Sequence, residues 1–188
     1  MPCNYHYFNN GSKTLPGHGV LLHMNGMGIY LIGDSGVGKS ELALQLIEEK
    51  NAILVCDDGP QLTINLTTQQ LLGSCPKGFF GLMHIHDLGL IDLIELYGPQ
   101  VFKQKQKIDF VIELLVVDKQ EQLIQQGNPQ HLLSSHLKKW HYHSCSVAGI
   151  SIHLYPERNI SLLVKTAVQI FNHNNHKNKV NINDTTNC

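Results

Sequence analysis

The eight residues Gly33-Asp34-Ser35-Gly36-Val37-Gly38-Lys39-Ser40 meet every fixed position of the pattern G-x-x-x-x-G-K-[ST]. Glycines let the main chain curl until successive N–H groups point inward, and a helix opening behind such a loop adds the partial positive charge of its N-terminus. Lys39 can then reach the β- and γ-phosphates of a nucleoside triphosphate, and the Ser40 hydroxyl can ligate Mg²⁺. Glu41 continues the same binding segment. A glycine-rich turn with an incidental lysine is the alternative, and the apolar strand before the loop and the helix pattern after it argue against that.

Phosphoryl transfer also needs a carboxylate on the metal side and a base. Two places offer one at the end of an apolar run: Asp57-Asp58 after AILVC, and Asp118 after LLVV. The pair at 57 and 58 is favoured because its strand follows the P-loop helix directly, and a right-handed crossover would set it beside the loop strand. Adjacent carboxylates are also hard to keep ionised together without a cation, which makes Asp58 a candidate metal ligand. The bland reading of Asp57-Asp58-Gly59-Pro60 is a plain turn. Asp118 reads as a solvated helix cap.

The 12 histidines are scattered, and neither His84 and His86 nor His141 and His143 sits in a ligand-spaced cluster. The five cysteines form no C-x-x-C pair and read as reduced, cytosolic thiols. A formal net charge of −1 gives no general pull toward nucleic acid or membrane, so phosphate binding has to be local. No apolar run reaches the ~18 to 20 residues of a membrane span, and the first residues lack the basic and apolar regions of a secretory signal. The expectation is a cytoplasmic protein. Arg158 is the only arginine in the chain.

These groups need elements to position them, and 188 residues suffice for one core. GVLLHM (19–24) and MGIYLI (27–32) flank Asn25-Gly26 and read as a hairpin whose second strand feeds the glycine loop. SELALQLIEEK (40–50) puts Leu42, Leu46 and Ile47 on one helical face. AILVC (52–56) and IDFVIELLVV (108–117) read as buried strands, QLTINL (61–66) and QQLLGSCP (69–76) as short ones. Residues 78–98 fit a loop with a short helix or strand attached. Residues 119–126 suggest a helix, followed by a long exposed connection to 146. VAGISIHLYP (147–156) reads as a strand, and 159–171 as a helix burying Leu162, Leu163, Ala167 and Ile170. The domain plan is a loose segment at 1–14, a catalytic domain at 15–171 and a disordered tail at 172–188. The fold class is α/β: a P-loop core with a mixed, strand-rich sheet flanked by helices.

In four segments the chain resembles the C-terminal catalytic domain of HPr kinase/phosphorylase, which phosphorylates a serine of the phosphocarrier HPr in the regulation of carbohydrate metabolism. The segments are His18-Gly19-Val20, the P-loop continued by Glu41 with the strand ending in Asp57-Asp58, LMHIHDLGLIDL (82–93), and YPERNISLLVKTA (155–167). The resemblance implies ATP and Mg²⁺ as cofactors, HPr or a similar carrier as partner, and a homo-oligomer, hexameric in the family. It implies Asp57 as the catalytic carboxylate, assisted by His18, and Arg158 as the charge stabilising the transferred phosphoryl group.

Against the family signature, His84 stands for a glutamate, His86 for an arginine, Asp87 for a glycine and Glu157 for the glycine before Arg158. Loss of the first two puts the phosphorylase direction in doubt. Three readings follow: an HPr-type serine kinase, a nucleotide-binding regulatory module without transfer, and a P-loop kinase for a small molecule.

Overall fold

The computed structural model describes residues 12–116 and 137–184. In chain order the elements are β1 (Ser12–Thr14), β2 (Val20–Met24), β3 (Met27–Gly33), α1 (Lys39–Glu48), β4 (Ile53–Cys56), β5 (Gln61–Asn65) and β6 (Gln70–Ser74). They continue with β7 (Leu82–Ile85), β8 (Gly89–Asp92), α2 (Leu93–Tyr97), β9 (Lys105–Lys107), β10 (Phe110–Val116), β11 (Lys138–Tyr142), β12 (Cys145–Leu154) and α3 (Ile160–Asp184). A single 3-10 turn at Pro99–Val101 follows α2.

Seven strands form the main sheet in the order β1-β11-β12-β10-β3-β2-β4. The three central strands β3, β10 and β12 run parallel, while β2 is antiparallel to both β3 and β4. Asn25 and Gly26 turn the β2–β3 hairpin with φ of 51° and 81°, the left-handed pair that a two-residue turn of matching twist requires. One expectation fails here: β4 does not lie beside the P-loop strand. The hairpin inserts β2 between them, because β2 pairs with the nearest available partner on either side.

Both faces of the sheet are covered, which is why its central strands are apolar throughout. Ile29 and Leu31 of β3 and Phe110, Ile112 and Leu114 of β10 pack against α1, α3 and Met83 and Ile85 of β7. Tyr30, Ile32 and Val111 face the other way, toward Leu71, Ile108 and Trp140 under the three-stranded β5-β6-β9 sheet. Cys56, Cys75 and Cys145 are buried free thiols.

Several expectations shift. Ser12–Thr14 joins the sheet by pairing with β11, and β11 lies within the stretch read as an exposed connection. Residues 78–98 make a β7–β8 hairpin followed by α2, whose N-cap Asp92 accepts from the N–H groups of Ile94 and Glu95 at 2.9 and 3.1 Å. The last helix runs on to Asp184, through most of the expected tail. Its buried face is Ser161, Val164, Ala167, Val168 and Phe171, the last stacked on Phe110, whereas Leu162, Leu163 and Ile170 are exposed. Val164, Ala167, Val168 and Phe171 carry the core contact, so that of the four residues expected on the buried face only Ala167 lies on it. Most of the segment 1–14, the expected helix at 119–126 and Asp118 lie outside the described residues.

Candidate active site

The loop from Asp34 to Gly38 joins the C-terminal end of β3 to the N-terminus of α1. Gly33 begins it at φ 148°, and a Cβ there would stand 2.6 Å from the Leu114 carbonyl oxygen of the neighbouring strand, so no side chain fits. Gly38 ends it at φ 91° and enters the helix without a side-chain cap, which leaves the first-turn N–H groups for an anion. Lys39 Nζ donates to the carbonyls of Gly33 and Asp34 at 3.1 and 2.8 Å, closing the loop on itself. Asp34, Ser35 and Gly36 are exposed along its rim, and Val37 N–H donates back to the Asp34 carbonyl at 3.3 Å.

Asp57 follows the last residue of β4 and reaches this loop from the side. Its carboxylate accepts from Ser40 Oγ at 2.8 Å and from the main-chain N–H of His84 at 2.9 Å. Burial raises the Asp57 pKa above the usual carboxylate value; the two hydrogen bonds oppose that shift, and the nearby charges of Asp58 and Glu41 add to it. Glu41 in turn accepts from the main-chain N–H of His86 at 3.3 Å. The β7 strand alternates, Met83 and Ile85 buried and His84 and His86 exposed, so both substituted signature positions serve the site through their backbone. No sequence pattern announces a main-chain donor, and these two contacts were not legible beforehand.

The donor set suits a hard, oxygen-seeking cation. The Ser40 hydroxyl and the Asp57 carboxylate already touch, and Asp58 and Glu41 bring further negative charge within range. Among the described residues no group of three His, Cys, Asp or Glu side chains could hold a metal alone. A Mg²⁺ ion completed by phosphate oxygens and water fits that arrangement. Asp57, not Asp58, meets Ser40; Asp58 is exposed with φ 44°.

His18 is exposed, and no hydrogen bond joins it to Asp57 among the described residues. Gly19 behind it lies so close to Tyr30 that a Cβ would be 2.8 Å from the ring. Arg158 lines a cleft of about 570 Å³ together with Val37, Gly38 and Glu41, its guanidinium 4.3 Å from the centre of the Tyr155 ring.

Residues 11–186 match the model of the HPr serine kinase C-terminal domain. The chain belongs to that family. The HPr kinase/phosphorylase of Caldicellulosiruptor bescii is 31% identical over 166 residues, 88% of this chain and 49% of that protein. The protein of the same name from Mycoplasma pneumoniae is 34% identical over 151 residues, 80% of this chain and 46% of its own. The chain thus spans about half the length of these relatives. A solved structure, the Hpr(Ser) kinase/phosphatase from Coxiella burnetii, superposes with a TM-score of 0.70 at 29% identity, covering 90% of this chain and 94% of that one. This establishes the HPr-kinase P-loop fold over most of the chain.

At the two positions where the resemblance leads one to expect glycine, Asp87 has φ 65° and Glu157 has φ 72°, in the left-handed region that favours glycine.

Proposed function

We propose that the chain is an ATP- and Mg²⁺-dependent protein-serine kinase that phosphorylates HPr or a similar phosphocarrier in the cytoplasm, in regulation of carbohydrate metabolism. The observation that carries this reading is the Asp57 carboxylate held between the P-loop hydroxyl of Ser40 and the His84 N–H. Family membership supplies the reaction class, and the relatives' names supply the carrier.

Bound ATP·Mg²⁺ supplies the γ-phosphoryl group and offsets its charge. The N–H groups from Gly36 to Ser40 and the Lys39 ammonium hold the phosphates, with Glu41 bracing β7 against the loop. Ser40, with Asp57 or Asp58, supplies oxygens to the cation. Asp57, its proton affinity raised by burial, takes the proton from the attacking serine hydroxyl. Arg158 stabilises the charge that spreads over the transferred group. His18 orients or assists Asp57. The chain assembles as a homo-oligomer, hexameric as in the family, and uses neither nucleic acid nor membrane; no helix among the described residues is long and apolar enough to cross one.

A regulatory module without transfer is the second reading, motivated by His84 and His86. Their contacts to Asp57 and Glu41 come from the backbone, which favours an intact site. The test is transfer of labelled γ-phosphate from ATP·Mg²⁺ to purified HPr. Label on a carrier serine, reduced about 10³-fold in Asp57→Asn, is the expected result. ATP binding with no label on HPr would sink the kinase and leave the module; activity confined to small metabolites would point to the third class.

A further inference from the structure

Arg158 sits in the turn between the last strand and the last helix. Bonds within that turn set its shape: the Arg158 N–H donates to the Tyr155 carbonyl at 3.3 Å, and Asn159 Oδ1 accepts from the Leu162 N–H at 2.9 Å as the N-cap of α3. They do not set its place. To bring a guanidinium to the cleft beside the P-loop, the start of α3 has to be tied to α1, the helix that the P-loop opens.

Ser161 makes that tie. It stands in the first turn of α3 and is only 1% exposed, so its hydroxyl has to find an acceptor inside the protein. The acceptor is Glu49, the C-cap residue of α1, at 2.9 Å. Lys165, one turn further along α3, donates to the same carboxylate oxygen at 2.6 Å, and Gln45, one turn back on α1, donates to the other at 3.0 Å. The bonds from Lys165 and Ser161 hold the Glu49 pKa below the ordinary carboxylate value, which keeps the acceptor ionised at neutral pH. Ser161 is three residues from Arg158, so anchoring its Cα confines that of Arg158 to within about 10 Å of it. Nothing in the sequence joins residue 49 to residue 161.

We propose that Ser161 and Glu49 are positioning residues for phosphoryl transfer: their contact holds the start of α3 on α1, so that Arg158 faces the phosphates as the charge spreads. The proposal rests on the kinase reading above and goes beyond it, since neither residue touches the nucleotide or the carrier.

Single-turnover transfer of labelled γ-phosphate to HPr, with the chain in excess so that slow variants stay measurable, tests this beside calorimetric titration with ATP·Mg²⁺. Ser161→Ala deletes the hydroxyl and keeps a strong helix former, and Glu49→Ala deletes the acceptor. Each should lower the transfer rate about 10-fold while ATP affinity stays within about twofold, the pattern of an interaction realised only in the transition state. Glu49→Gln keeps an oxygen for Ser161 and should lose less than about threefold. In an Arg158→Ala background, Ser161→Ala should cost under about twofold more, because the group it positions is gone. In the nucleotide-free chain, Ser161→Ala should speed amide hydrogen exchange at residues 157–160 and leave 36–40 unchanged. A Ser161→Ala rate within about twofold of wild type, equal losses with and without Arg158, or unchanged exchange at 157–160 overturns the proposal. Wild type that binds ATP but labels no carrier overturns the kinase reading itself and this one with it.

Discussion

Asp57, proposed above as the base, is a residue whose burial costs stability. Its folded-state pKa is raised, chiefly by burial, so the folded chain binds a proton more readily than the unfolded one. The contribution to stability is fully present below the unfolded value of about 3.9 and is lost as pH rises through the folded value. Asp57→Asn should therefore melt higher than wild type at pH 8 without nucleotide or metal, and the gap should close as the pH is lowered through the folded value toward the unfolded one. Thermal melts across that range check it; a variant that melts lower at pH 8 would show that the hydrogen bonds from Ser40 and His84 outweigh burial. A second residue-scale case is Glu157, exposed and held at φ 72°, a conformation that favours glycine. A left-handed backbone costs a side-chain-bearing residue ~1–2 kcal/mol, so Glu157→Gly should gain about 1 kcal/mol in denaturant unfolding. At this scale the sequence was most legible: Gly33, Lys39 and Ser40 are recognisable by type and spacing, and the Asp57-Asp58 pair by its place after an apolar run, with the choice of Asp57 supplied by the resemblance, whereas the N–H donors of His84 and His86 have no side-chain signature.

Among the elements, the P-loop hairpin, α1, β4 and the β5–β6 pair were readable because each carries its own punctuation: Asn25-Gly26, the glycine loop, Asp57 to Pro60. What failed were elements whose stability is non-local. β1 and β11 are short and polar, and they exist because they pair with each other and because a buried glutamate needs them. Glu113 sits 5% exposed within the apolar strand β10. Lys13 of β1 donates to both its oxygens at 2.8 and 2.6 Å, and Ser151 of β12 at 2.5 Å, with Lys138 of β11 donating to Ser151 at 2.7 Å. Burial and the neighbouring Lys13 charge pull the Lys138 pKa down. A carboxylate inside a buried run implies a cation from elsewhere, but the pattern of one strand cannot say which lysine supplies it. Removing one partner of such a pair costs ~3–5 kcal/mol because the other charge stays buried. Glu113→Gln should thus lower stability by about 3 kcal/mol in denaturant titration, with β1 and β11 losing amide protection first in hydrogen exchange. A loss under about 0.5 kcal/mol would mean that Lys13 readily finds water.

For the whole molecule, the strand order explains how a carboxylate two strands from the P-loop strand still reaches it. β2 separates β4 from β3, so Asp57 is presented by the sheet edge and by the β7 strand that packs on α1, not by a neighbouring parallel strand. Crossover rules applied to consecutive elements could not foresee this, since the intervening strand comes from before the P-loop in the chain. The same view bears on assembly. Leu66, Phe79, Leu88, Leu90 and Leu96 are each at least 60% exposed on a chain of net charge −1, so electrostatic repulsion between copies is weak and much apolar surface is available. The hexamer implied by resemblance to the family would cover part of that surface. Light scattering on the purified chain should give about six times 21.1 kDa at micromolar concentration. Because association driven by apolar burial is insensitive to screening, the mass should persist in 1 M salt. A concentration-independent mass of one chain would reject assembly, and an oligomer that dissolves in salt would show that charge pairs, not these leucines, hold the copies together.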